Sequence, residues 1–141
     1  MNAPGQAPAV LLVDDDGDFL DVARRILGYA GLGFRVDVVE SGTAALDFLE
    51  RRPPFVAART PDFIVLDFRL PDINAPAVLR HIRKSDALRI IPVLVVSQAN
   101  WEADQVAALE AGAQAFRVKP SHVQPLRQIF RQFWEGHGSA A

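Results

Sequence analysis

Phe63-Ile64-Val65-Leu66-Asp67-Phe68-Arg69-Leu70-Pro71 is the stretch that decides the fold. Four apolar residues run without interruption into a carboxylate, and a Pro-Asp turn follows. A strand with no polar alternation is one covered on both faces, and such strands belong to parallel sheets. Two more runs of this kind lie to either side: Leu11-Leu12-Val13 ahead of Asp14-Asp15-Asp16, and Val93-Leu94-Val95-Val96 ahead of Ser97. Farther out, Arg35-Val36-Asp37-Val38 and Phe116-Arg117-Val118-Lys119 alternate, as half-exposed edge strands do. Strands are thus predicted over Ala9–Val13, Phe34–Val39, Phe63–Leu66, Val93–Val96 and Ala115–Val118, with the first, third and fourth central.

Helical period fills the intervals, near Asp18–Tyr29, Gly42–Arg51, Ala77–Lys84, Glu102–Ala111 and Val123–Trp134. Phe19, Val22, Ala23 and Ile26 make one apolar stripe, and Leu126, Ile129, Phe130 and Phe133 make another. Strands alternating with helices predict the α/β class. Two edge strands and three central ones fit a doubly wound five-stranded parallel sheet of order 2-1-3-4-5, whose switch point lies between the first and third strands. Gly31 and Gly33 flank the turn after the first helix, where positive φ is often needed. The Arg51–Asp62 segment, with Pro53-Pro54 and Pro61, is long for a connection in such a fold. There is no internal repeat and no low-complexity linker. The expected organisation is a flexible lead-in over 1–8, one domain over 9–135 and a flexible tail over 136–141.

The chain has 141 residues, half of them apolar, and a formal charge of −2. That length can bury a core without staples. It contains no cysteine, which excludes disulfides and thiolate chemistry. The charge balance argues against nucleic acid as the main partner, because counterion release needs clustered Lys and Arg. No apolar run approaches the ~20 residues of a membrane span. Nor does the opening segment have the basic and apolar regions of a signal peptide. A cytoplasmic protein is expected.

In a parallel sheet the C-terminal strand ends line one edge, where ligands bind. Here those ends carry Asp14-Asp15-Asp16, Asp67, Ser97 and Lys119. Clustered carboxylates repel unless a cation joins them. Hard oxygen donors with room for water suit Mg²⁺. A nucleophilic carboxylate, a cation and donors to the transferring oxygens are what phosphoryl transfer requires. Asp67 can be the nucleophile, Ser97 a hydroxyl donor and Lys119 an ammonium.

Leu11-Leu12-Val13-Asp14-Asp15, Ile64-Val65-Leu66-Asp67-Phe68-Arg69-Leu70-Pro71, Val95-Val96-Ser97 and Val118-Lys119-Pro120 together resemble the receiver domains of two-component response regulators. The likeness runs from about Ala9 to Phe133. It implies a flavodoxin-like (βα)5 fold and a single-domain switch, not an enzyme, with autophosphorylation and autodephosphorylation chemistry at Asp67. By the same resemblance Asp67 accepts a phosphoryl group from a sensor histidine kinase, and Asp14 and Asp15 form an acidic pocket. Mg²⁺ would rest on Asp15, Asp67 and the backbone carbonyl of Arg69. Ser97 and Lys119 would hold the phosphoryl oxygens, Phe116 would move with Ser97, and Lys119-Pro120 would often be cis. Output would pass to a downstream protein target or a phosphotransfer protein. The Pro-rich segment before Pro61-Asp62, the Leu88-Arg89-Ile90-Ile91-Pro92 stretch and Phe133-Trp134 are similar to regulators that partner bacterial phytochrome kinases.

Three positions depart from the family pattern. Ala75 stands where glycine is usual, so a positive φ there would be costly and the turn must be built another way. Gln98 follows the hydroxyl residue and could crowd the phosphoryl site. Ser121 replaces the Phe that is common after Lys-Pro.

Simpler readings compete at each residue. Asp16 and Asp18 are expected to cap the first helix. His81, His122 and His137 lack ligand spacing and read as surface residues. Trp101, Phe116, Phe130, Phe133 and Trp134 are expected in or near the core. Phe133-Trp134 could instead serve a homodimer through the fourth helix, fifth strand and last helix. Leu12-Val13-Asp14-Asp15-Asp16-Gly17 also resembles the first motif of haloacid-dehalogenase-like phosphatases, with Asp14 as nucleophile and Asp16 as acid. That reading leaves Asp67 without a role. A phosphate-blind interaction module is the remaining alternative.

Overall fold

The computed structural model describes residues 7–138. The strands are β1 (Ala9–Val13), β2 (Arg35–Val39), β3 (Phe63–Asp67), β4 (Val93–Ser97) and β5 (Ala115–Val118). All pair in parallel, in the order β2-β1-β3-β4-β5. The helices are α1 (Gly17–Leu27), α2 (Gly42–Leu49), α3 (Ala75–Lys84), α4 (Glu102–Ala111) and α5 (Val123–Phe133). β1, β3 and β4 are buried throughout, whereas β2 and β5 are partly exposed, as their alternation predicts.

Alternate residues of the central strands feed two cores. Leu11, Val13, Ile64, Leu66, Val93 and Val95 face α2, α3 and α4. Val10, Leu12, Phe63, Val65, Leu94 and Val96 face α1 and α5. Each strand is therefore held from both sides, and its C-terminal end is fixed in height. Backbone bonds from Asp14 N to Val39 O, Phe68 N to Val96 O and Lys119 N to Ser97 O extend the ladders to the site edge.

Helix starts follow local chemistry. Asp16 caps α1 by accepting from Asp18 N and Phe19 N, while Asp18 sits in the first turn instead of capping. Ser41 caps α2, and Asn74 caps α3 by accepting from Ala77 N, with Pro76 in the first turn. Ala75 is thus the first helical residue, fully buried and donating to Phe68 O, and the turn needs no positive φ there. Gly33 does adopt a positive φ of 87°, whereas Gly31 does not. Gly31 is instead required by space, because a Cβ would lie 2.1 Å from Ile26 O.

Several expectations are corrected. Trp101 is 62% exposed: it precedes α4, a helix whose only fully buried residue is Ala108. Phe130 and Phe133 are buried, and Trp134 stacks edge-on to Phe34 at 5.1 Å and against Phe63 at 5.6 Å. These aromatics close the α5 side of the core, where Trp134 keeps part of its surface exposed. The cis bond is Pro53-Pro54, not Lys119-Pro120. Trp134–Gly138 form a π-helical turn, so residues 136–138 continue the last helix; the remaining expected tail and residues 1–6 lie outside the described residues.

The long segment between α2 and β3 is anchored. Phe55 packs on Phe48 at 5.4 Å, and Arg59 donates to Ala7 O. Asp62 accepts from Ala9 N and donates its own N–H to Ala9 O, which pins the approach to β3.

Candidate functional site

The four strand ends converge as the sequence predicts. Asp14 follows β1, Asp67 ends β3, Ser97 ends β4 and Lys119 follows β5. One carboxylate oxygen from each of Asp14, Asp15 and Asp67 lies within 4.8 Å of the others. Asp14 is fully buried, Asp67 is 6% exposed and Ser97 4%, while Asp15 is open to solvent. Asp15, Asp16, Asp67, Arg69, Ser97, Gln98, Ala99 and Lys119 line the resulting cleft of about 240 Å³.

Lys119 ties the cluster together. Its Nζ lies 2.8 Å from Asp14 Oδ2 and 3.4 Å from Asp67 Oδ1, and sits 4.5 Å above the Phe19 ring. Asp14 Oδ1 accepts from Asp16 N, so the acidic run is braced by its own backbone. Asp14 Oδ2 is buried and has the Lys119 ammonium as its ionic partner, with no further donor beside it. One ammonium thus bridges two buried carboxylates, and the third, Asp15, stands beside them in solvent.

The electrostatics follow. Burial pushes the Asp67 carboxyl up to about 6, the neighbouring Asp14 adds to this, and Lys119 opposes it. A cation placed among these oxygens would offset the repulsion between the carboxylates. The donor set is all oxygen, which suits a hard divalent ion such as Mg²⁺.

The response regulator receiver domain model matches residues 10–131. The chain belongs to the receiver domain family. Receiver domains are signalling switches of two-component systems. A two-component response regulator of Oryza sativa subsp. japonica, ORR5, is 35% identical over 86% of this chain and 83% of its own length. The KDP operon transcriptional regulatory protein KdpE of Escherichia coli K12 is 34% identical over 92% of this chain, but this chain spans only 52% of KdpE. SphR of Synechococcus elongatus is spanned to 46%. The phosphorylated cyanobacterial phytochrome response regulator RcpA superposes with a TM-score of 0.85 at 26% identity, covering 96% of this chain and 97% of the other. The bacteriophytochrome response regulator RtBRR gives 0.77 at 34% identity, over 91% and 78%.

Asp14, Asp15, Asp67, Arg69, Ser97 and Lys119 come together at this edge of the sheet. Phe116 is 5% exposed and meets Phe68 edge-on at 6.3 Å, so the aromatic expected to swing is already packed inward. Gln98 does reach the cleft, donating to Asp16 Oδ2 at 3.3 Å. One Asp16 oxygen caps α1 and the other faces Gln98. His81 bonds Glu50, holding that carboxyl below its ordinary range with help from Arg52.

Sequence reading missed the side-chain partners of Arg69, Asp72 and Arg83. The Arg69 side chain pairs with Asp104 of α4 at 2.9 Å. Asp72 accepts from Gly42 N and Thr43 N, capping α2 from another loop, and its bonds to Thr43 hold its carboxyl far below the usual range. Arg83 donates to Gly112 O, Arg89 O, Ile91 O and Gln114 Oε1, clamping α3 to the C-terminal end of α4 and to the segment before β4. A Pro-Asp-Ile-Asn turn signals capping, but nothing local signals the partners of the two arginines. No helix among the described residues is long and apolar enough to cross a membrane.

Proposed function

We propose that this receiver is a Mg²⁺-dependent phosphoryl acceptor in which Asp67 takes the group from a phosphohistidine of a sensor histidine kinase. The observation that carries the reading is the buried Asp67 carboxylate, set within 4.8 Å of the Asp14 and Asp15 oxygens and faced by Lys119 at 3.4 Å. An Asp67 oxygen bonds to phosphorus as the P–N bond breaks, and the electron pair returns to the imidazole. Asp15, Asp67 and the Arg69 carbonyl would hold Mg²⁺, which spreads the charge building on the transferred oxygens. Lys119 stays paired with Asp14 and turns its charge toward the new dianion. Ser97 offers its hydroxyl from the neighbouring strand end. Burial keeps bulk water from the nucleophile.

Output passes by protein contact, to a downstream target, a phosphotransfer protein or a second copy. The α4–β5–α5 face supports this role through exposed Trp101, Val106, Leu109, Val118 and Val123. The likeness to phytochrome regulators favours a phytochrome-type kinase as donor. A cytoplasmic setting follows from that role.

Acetyl phosphate or beryllofluoride with Mg²⁺, followed by mapping of the modified aspartate, tests the reading. Modification at Asp67, absent in Asp67→Asn, is expected. Modification at Asp14 would make the chain a phosphatase-like enzyme, and none at all would make it a phosphate-blind module.

A further inference from the structure

Helix α4 is weakly held at its start. Trp101 occupies the N-cap position without a capping side chain, and Ala108 alone is fully buried. The opposite end is firm: Gly112 closes it in the left-handed region, and its carbonyl takes two bonds from Arg83. The side-chain ion pair that ties the first turn of α4 to the acceptor loop is Arg69–Asp104. Arg69 stands two residues after Asp67, lies 5.4 Å over the Phe68 ring and lines the same cleft as Asp67, Ser97 and Lys119. Asp104 is mostly covered, whereas the Arg69 side chain is 70% exposed.

We propose that Arg69 is a two-position side chain: it latches α4 through Asp104 when Asp67 is bare, and moves to the phosphoryl group when Asp67 is loaded. This rests on the phosphoacceptor reading above. A phosphoryl group carries about −1.5 to −2 charges, against −1 on Asp104, and offers several acceptors to a planar guanidinium. The stronger anion lies in the cleft Arg69 already lines. Leaving Asp104 frees the uncapped start of α4, which then pivots on its clamped C-terminal end. The loading of one carboxylate is thereby read out as release of a helix and of Trp101 at its head.

The test uses beryllofluoride with Mg²⁺ on the whole chain carrying Trp134→Phe, so that Trp101 is the sole fluorophore. Asp104→Asn removes the latch and should tighten beryllofluoride binding about two- to five-fold, the range an exposed ion pair supports. It should also speed amide exchange in the first turn of α4 before any ligand is added. In an Arg69→Ala background the Asp104 substitution should change neither quantity. Unaltered affinity and exchange in Asp104→Asn, or an equal effect with and without Arg69, would overturn the latch. If the unsubstituted protein fails to bind beryllofluoride, the phosphoacceptor reading fails. The ligand-free exchange comparison still decides whether Arg69 and Asp104 hold α4.

Discussion

Replacing the proposed nucleophile should make the metal-free protein more stable. Asp67 is an acid whose folded-state carboxyl is pushed up to about 6 from its ordinary 3.8, mainly by burial and then by Asp14. The native state therefore holds that proton more tightly than the unfolded chain does. Stability is greatest in acid, falls as pH rises from about 4 to about 6, and stays lower above that. The difference of roughly two pKa units corresponds to about 3 kcal/mol at neutral pH, because each unit is worth about 1.4 kcal/mol. The side chain is only 9% exposed, so solvent screening takes little from this. Asn keeps the size and removes the charge, so Asp67→Asn should gain on the order of 2–3 kcal/mol at pH 7.5 in EDTA. With a urea slope of about 2 kcal/mol/M, the midpoint should rise by roughly 1 M or more. At pH 4, where Asp67 is protonated, the two proteins should unfold at nearly the same midpoint. Adding Mg²⁺ should stabilise the wild type more than the variant and narrow the gap. Equal midpoints at pH 7.5, or a gap that persists unchanged at pH 4, would refute the claim that charge burial strains this site.

Lys119→Ala should slow acetyl-phosphate labelling, since the ammonium that faces Asp67 at 3.4 Å is gone; labelling at the wild-type rate would remove Lys119 from the site. Asp15→Asn should weaken Mg²⁺ binding by more than the 10–100-fold of an outer-shell change while barely altering stability, because Asp15 is exposed; titration calorimetry of both proteins checks it. Arg83→Ala should cost about 2–4 kcal/mol in urea unfolding, because five guanidinium bonds to three carbonyls and Gln114 are lost, and Arg83→Lys should recover only part of it.

The order of the elements was readable in the chain because local period reports burial. Val93 to Val96 could only be a strand covered twice, and Arg35 to Val38 only an edge, so order 2-1-3-4-5 and the alignment of strand ends followed. Those ends named Asp14, Asp67, Ser97 and Lys119 without any contact being known, because a parallel sheet brings its C-terminal ends to one side. What sequence could not decide was where each side chain turns and which distant group it meets. Asp14 and Asp15 are adjacent and identical, yet backbone direction buries one against Lys119 and leaves the other in solvent. Nothing in the sequence names Phe34 and Phe63 as the rings that Phe133 and Trp134 meet. Trp101 read as core until α4 proved to bury little beyond Ala108. Arg69 with Asp104, Asp72 with the start of α2, and Arg83 with Gly112 join residues about thirty positions apart. Such pairings depend on how helices sit on the sheet, which is fixed by the summed packing of both cores and by no single stretch of sequence.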